Sequence, residues 1–161
     1  MSITELAYFT IPPQAQTPLL VSFLIAFLLV MPIPPLHKWF VFAMDQSCFV
    51  VRAVLVALFV KIGAYGLIRF ALVLFPDAVM LIADLMVVAS VGIIVYGALL
   101  SYRQTKLPKL LAYLSICYAG LVLLGVFSLS ELSITGAMFV LIAQGLAIGG
   151  LLLILGSIPE K

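Results

Sequence analysis

The chain has 161 residues, of which 66% are hydrophobic and 9% charged, with a mean hydropathy of +1.37 and a net charge of +2. Soluble domains carry about a quarter charged residues, so the composition excludes a globular domain with an anchor and reads as an integral membrane protein. The charge is too small and too scattered for nucleic-acid binding.

A helix needs about 20 apolar residues to cross the hydrocarbon core. Five segments are expected, which makes the chain an all-α, polytopic transmembrane bundle forming a single domain over 1–161. No cleavable signal peptide is expected, because Met1-Ser2-Ile3-Thr4-Glu5 lacks a basic run and the first apolar stretch follows Ile11-Pro12-Pro13. The first segment, about Thr17 to Val30, is short for a span. It reaches Met31-Pro32-Ile33-Pro34-Pro35, where three prolines break the helix, and resumes weakly from Trp39 to Met44. The second covers about Ser47–Phe75. The third, about Asp77–Tyr102, follows Pro76, with Asp77 suited to a first helical turn. The fourth covers about Pro108–Leu129 and the fifth about Ser133–Ser157. Glycines at 92, 97, 120, 125, 136, 145, 149, 150 and 156 would let these last helices approach closely in lipid.

Arg103, Lys106 and Lys109 cluster between the third and fourth segments, which assigns that loop to the negative side of the membrane. Alternation then puts Lys38, Arg52 and Lys161 on the same side, and Glu5, Asp77, Glu131 and Arg69 on the other. The expected topology is N-terminus outside and C-terminus on the negative side. Cys48 and Cys117 show no CxxC spacing and read as small buried residues.

Four ionisable groups fall in or near spans: Arg52, Lys61, Arg69 and Asp84. Arg52 and Arg69 can snorkel from helix ends. Asp84 can reach the outer interface or pair with Arg69 on the preceding helix. Lys61 lies about 12–14 Å along the helix from Arg52 and Arg69 and cannot easily snorkel. An ammonium at that depth costs about 2.5–3.5 kcal/mol on insertion scales. Burial disfavours its charged form, which is the property a proton carrier needs. A buried proton relay and a structural pair both fit Lys61. Polar partners at similar depth are few: Gln144, Tyr118, Tyr65 and His37, the last beside the proline break, where freed backbone groups can line a wet cavity. No nucleophile–base pair, phosphate loop or metal cluster is visible, so no enzyme site is expected.

Pro32-Ile33-Pro34-Pro35-Leu36-His37-Lys38-Trp39, followed by Val60-Lys61-Ile62-Gly63-Ala64-Tyr65-Gly66-Leu67-Ile68-Arg69-Phe70, resembles the pattern P-x-x-P-x-H-x-W then L-K-x-G-x-Y-G-x-x-R. That pattern belongs to subunit 4 (chain M, also called NdhD) of complex I-type NADH or ferredoxin:quinone oxidoreductases, one of the antiporter-like subunits that conduct protons. Leu74-Phe75-Pro76, Gly92-Ile93-Ile94-Val95-Tyr96-Gly97, Leu111-Ala112-Tyr113 and Gly120-Leu121-Val122-Leu123-Leu124-Gly125 extend the resemblance over nearly the whole chain, in order. It implies a fragment covering the family's seventh to eleventh helices, without the glutamate of the fifth or the ionisable residue of the twelfth.

The departures fall on proton-carrying positions. Val30 stands where the family has a lysine, and Trp39-Phe40-Val41-Phe42-Ala43-Met44 loses a proline and a histidine. Cys117-Tyr118 replaces a serine–histidine pair, Gln144 replaces a histidine, and Lys106-Leu107-Pro108-Lys109 replaces D-x-K-R. The eighth helix keeps its central lysine as Lys61.

The resemblance implies a non-catalytic membrane-arm subunit in a bacterial plasma, thylakoid or mitochondrial inner membrane, contributing to proton translocation coupled to electron transfer. Its partners would be the lipid bilayer and other membrane subunits of a complex I-like assembly. NADH or ferredoxin, flavin, Fe–S clusters and quinone would be held by other subunits, with no cofactor on this chain. Two other readings are a degenerate structural module without a proton path and an independent small ion transporter; the absence of an inverted repeat counts against the last.

Overall fold

The computed structural model describes residues 12–157, so Glu5 and Lys161, whose charges enter the expected topology, lie outside the described residues. Every regular element among them is helical: α1 (Pro13–Val30), α2 (Lys38–Gln46), α3 (Phe49–Leu74), α4 (Pro76–Tyr102), α5 (Leu107–Phe127) and α6 (Glu131–Gly156). Four of these, α3 to α6, are long and apolar enough to cross a membrane. The first expected segment falls short: the 18 residues of α1 span about 27 Å, less than the roughly 30 Å of hydrocarbon.

Local chemistry sets the boundaries. Proline stands in the first turn of α1, α4 and α5, where its missing N–H costs nothing, and Asp77 and Glu131 place negative charge in the first turns of α4 and α6. The α5–α6 turn passes through Leu129 at φ 52°, a left-handed position that glycine usually fills. At the end of α1 the prolines take away the next helical donors. The Leu29 carbonyl instead accepts a hydrogen bond from the Trp39 indole N–H at 3.1 Å, so a residue of α2 closes the end of α1.

Helix α5 is the centre: 56% of its most apolar stretch is buried, against 28% in α4 and in α6. It packs along α4 on one side, α6 on another, and receives α2. The first half of α3 lies on α6 and its middle on α1. Close approach depends on glycine at several places, two of them against a neighbouring backbone nitrogen. A Cβ on Gly63 would sit 2.8 Å from the Met31 backbone nitrogen, and one on Gly97 would sit 2.7 Å from that of Cys117. A Cβ on Gly92, Gly136 or Gly150 would meet nothing within 4 Å, so not every glycine expected to mediate packing does so among the described residues.

Polar contacts gather at two ends of the bundle. At one end Asp45 receives Lys109 at 3.3 Å and Lys106 at 3.9 Å, while Arg52 donates to the Asp45 backbone carbonyl and lies over the Phe49 ring. At the other, Gln16 donates to the Asp77 carboxylate at 3.2 Å, joining the starts of α1 and α4. One expectation is narrowed and one is corrected. Of the two alternatives for Asp84, the ion pair with Arg69 is not formed; both side chains are exposed on the outside of the bundle, because sequence spacing carries no information on which way each helix is rotated. Cys48 is exposed rather than buried, since it sits on the α2–α3 turn just before the helix begins; Cys117 is half-buried.

Candidate functional site

Helix α3 is not uniform. It widens into π-type turns at Leu55–Phe59 and Leu67–Ala71, a local geometry that often accompanies functional positions. Lys61 follows the first of these. Its ammonium folds back to donate to the Val56 carbonyl at 3.0 Å and crosses to α6 to donate to Gln144 Oε1, also at 3.0 Å. The two ion pairs among the described residues both involve Asp45, so the charge of Lys61 is held by neutral oxygens alone.

The lysine has room because residue 145 is glycine. A Cβ there would stand 3.0 Å from Lys61 Cε and 3.3 Å from Nζ. The side-chain amide of Gln144 has one possible orientation. An ammonium only donates, so Oε1 must face Lys61 and Nε2 must face away. Gln144 is 3% exposed, and Nε2 is buried without a hydrogen-bond partner.

Two apolar cavities flank this pair. One, of about 350 Å³ between α5 and α6, is lined by Gln144 and Tyr118 among aliphatic residues such as Leu111 and Val140. The other, of about 480 Å³ between α3 and α6, has Gly145 together with Ala53, Ala57 and Gly149 in its lining. Gln144 thus contacts Lys61 on one side and shares a cavity with Tyr118 on the other.

His37 belongs to a separate cluster. It is buried in the proline break, with Nε2 3.1 Å from the Tyr96 hydroxyl and its ring edge-on to Tyr96 and tilted against Tyr113. Tyr65 joins neither group and is 61% exposed on the bundle surface. Sequence reasoning missed Tyr96, Tyr113 and Asp45. The tyrosines carry no local signal beyond apolar packing, whereas Asp45 could have been found as the acidic group nearest the basic loop.

The family described as "NADH:quinone oxidoreductase/Mrp antiporter, TM" matches residues 1–161. Among curated proteins, the chain is 36% identical over 149 residues to NADH-quinone oxidoreductase subunit M of Pseudomonas aeruginosa, covering 92% of this chain and 29% of that protein. It is 37% identical over 160 residues to NAD(P)H-quinone oxidoreductase chain 4 of Gloeobacter violaceus, covering 99% and 30%. The fold matches a chain of respiratory complex I from Thermus thermophilus with bound NADH, with a TM-score of 0.86 and 27% identity over 96% of this chain and 33% of that one. The chain therefore spans under a third of the length of these curated relatives.

Proposed function

Because the chain belongs to the NADH:quinone oxidoreductase/Mrp antiporter transmembrane family, we propose that it works as part of the membrane arm of a complex I-like quinone oxidoreductase and contributes to proton translocation. The observation that supports a proton role is Lys61. A cation in the middle of a span, held at 3.0 Å by two neutral oxygens and given space by Gly145, has no structural counter-charge in the chain's described residues. Such a group can gain and lose a proton without breaking an ion pair.

In this reading other chains supply the rest of the membrane domain and the electron-transfer groups: the NADH or ferredoxin site, flavin, Fe–S clusters and quinone. The basic end of the bundle, with Arg52, Arg103, Lys106 and Lys109, faces the negative side of the membrane, and the α4 start at Asp77 faces the other.

One observation favours a purely structural role instead. Gln144, the partner of Lys61, is an amide that cannot take up a proton at neutral pH, so a path through α6 would need water or another chain. Native-gel separation of mildly solubilised membranes, with mass spectrometry of the co-migrating proteins, tests assembly. Co-migration with several complex I-type subunits is expected; migration alone or as a small homo-oligomer would overturn the membrane-arm assignment. Ion flux through the purified chain in liposomes would point to the independent transporter.

A further inference from the structure

His37 is the one histidine in the sequence, and the residue is 5% exposed. Nε2 is engaged with Tyr96 Oη, while Nδ1 is buried with no hydrogen-bond partner. A neutral imidazole has one N–H and one bare nitrogen, so two arrangements are possible. If the tyrosine donated to Nε2, the ring proton would sit on Nδ1 as a buried N–H with no acceptor. If Nε2–H donates to the tyrosine oxygen, Nδ1 keeps only a bare lone pair. Orphaned buried N–H groups are the rarer case in proteins, and under-used acceptors the more tolerated one. The second arrangement is therefore favoured.

We propose that Tyr96 is a positioning residue: it accepts the Nε2–H of His37, fixes that tautomer, and leaves Nδ1 as the nitrogen at which the proline break takes up or releases a proton. Protonation at Nδ1 forms one N–H bond and preserves the Tyr96 hydrogen bond. Protonation at Nε2 from the opposite tautomer would require the tyrosine hydroxyl to turn away. The other titratable groups around the ring are Tyr113 of α5, which touches it through ring contact alone, and Lys38, the next residue, which is exposed. Neither supplies a competing acceptor for Nε2. No acceptor among the described residues lies within hydrogen-bond reach of Nδ1, so a protonated Nδ1 needs a water in the break. Use of this nitrogen in transport rests on the proton-path reading above; the tautomer itself does not.

The test is nitrogen-15 solid-state NMR of the full chain in lipid bilayers, labelled at histidine. A single histidine gives one pair of ring nitrogen signals. The expected wild-type spectrum has Nε2 protonated and Nδ1 in the unprotonated imine region, as one tautomer. Tyr96→Phe should convert this to a mixture, shifting both signals toward each other. Tyr113→Phe, which removes a hydroxyl not bonded to His37, should leave the spectrum unchanged. A protonated Nδ1 in the neutral wild-type ring, or a Tyr96→Phe spectrum identical to wild type, would overturn the proposal. The wild-type spectrum decides the tautomer even if a variant fails to fold. Failure here would leave Lys61 untouched, since translocation by Lys61 variants is read without reference to the His37 tautomer.

Discussion

Lys61 of α3 and Gln144 of α6 are 83 positions apart in sequence and 3.0 Å apart at their polar atoms, and the donor-only chemistry of the ammonium fixes the amide's orientation. The bond ties the two helices whose small residues line the cavity of about 480 Å³ beside it. Hydrogen bonds between membrane helices average about 0.6 kcal/mol in double-mutant cycles, while bonds to charged groups in general reach about 1.5–3 kcal/mol. A cycle of Lys61→Met and Gln144→Leu, followed by reversible unfolding in mixed micelles, should give a coupling of about 1–2 kcal/mol. A coupling near zero would mean that the contact contributes nothing to holding α3 on α6.

Gly145 sets how closely the lysine can lie against α6. An alanine there would press on the flexible end of Lys61 at 3.0–3.3 Å, which a shift of a few tenths of an ångström relieves. A branched side chain leaves no such escape. Gly145→Ala should therefore be tolerated, whereas Gly145→Val should displace the ammonium from Gln144 and destabilise the bundle by about 1–3 kcal/mol, the range for overpacking. Thermal unfolding of the two variants side by side checks the order; equal effects would show that the glycine is not what gives the lysine its place.

The Trp39–Leu29 bond makes a third prediction. Trp39→Phe keeps most of the ring but leaves the Leu29 carbonyl without its 3.1 Å donor at the end of α1. The contact lies at an exposed helix end, so its loss costs about 0.5–1.5 kcal/mol, the net worth of a typical hydrogen bond. Stability should fall by about that amount, with faster amide hydrogen exchange confined to the proline break and the adjoining turns of α1 and α2. Exchange that is unchanged there would remove the proposed closure.

Leu129 offers a change in the opposite direction. A non-glycine residue in the left-handed region costs roughly 1–2 kcal/mol, and this side chain is 41% exposed, so it recovers little through packing. Leu129→Gly should raise the thermal midpoint of the bundle. A lower midpoint would show that packing of the leucine outweighs the backbone strain.

Much of the fold was legible because lipid imposes a simple length rule. The four long runs were readable to within two or three residues, with Pro76 and Pro108 marking starts that proline favours. The rotation of each helix was not legible. Nearly every residue of α4 and α6 is apolar, so no polar stripe says which face turns inward, and the sequence could not choose between pairing Asp84 with Arg69 and exposing it, as the structure does. The widened turns of α3 left no mark in the sequence either, although they shape the backbone around Lys61. Gln144 could be named by depth as a partner for the lysine, and the glycine beside it made the contact possible. The role of Tyr96 could not be seen, because a tyrosine in an apolar helix looks the same whether its hydroxyl meets a histidine or lipid headgroups.

The proton role of Lys61 within an assembled quinone oxidoreductase is the point on which the functional reading turns. The most direct measurement compares proton translocation per electron transferred in sealed membrane vesicles carrying the parent chain or Lys61→Ala, with assembly checked on native gels. Loss of most of the proton translocation, in a complex that still assembles and still passes electrons to quinone, is the predicted result. Unchanged translocation in the fully assembled variant complex would contradict it and leave Lys61 as a tether between α3 and α6.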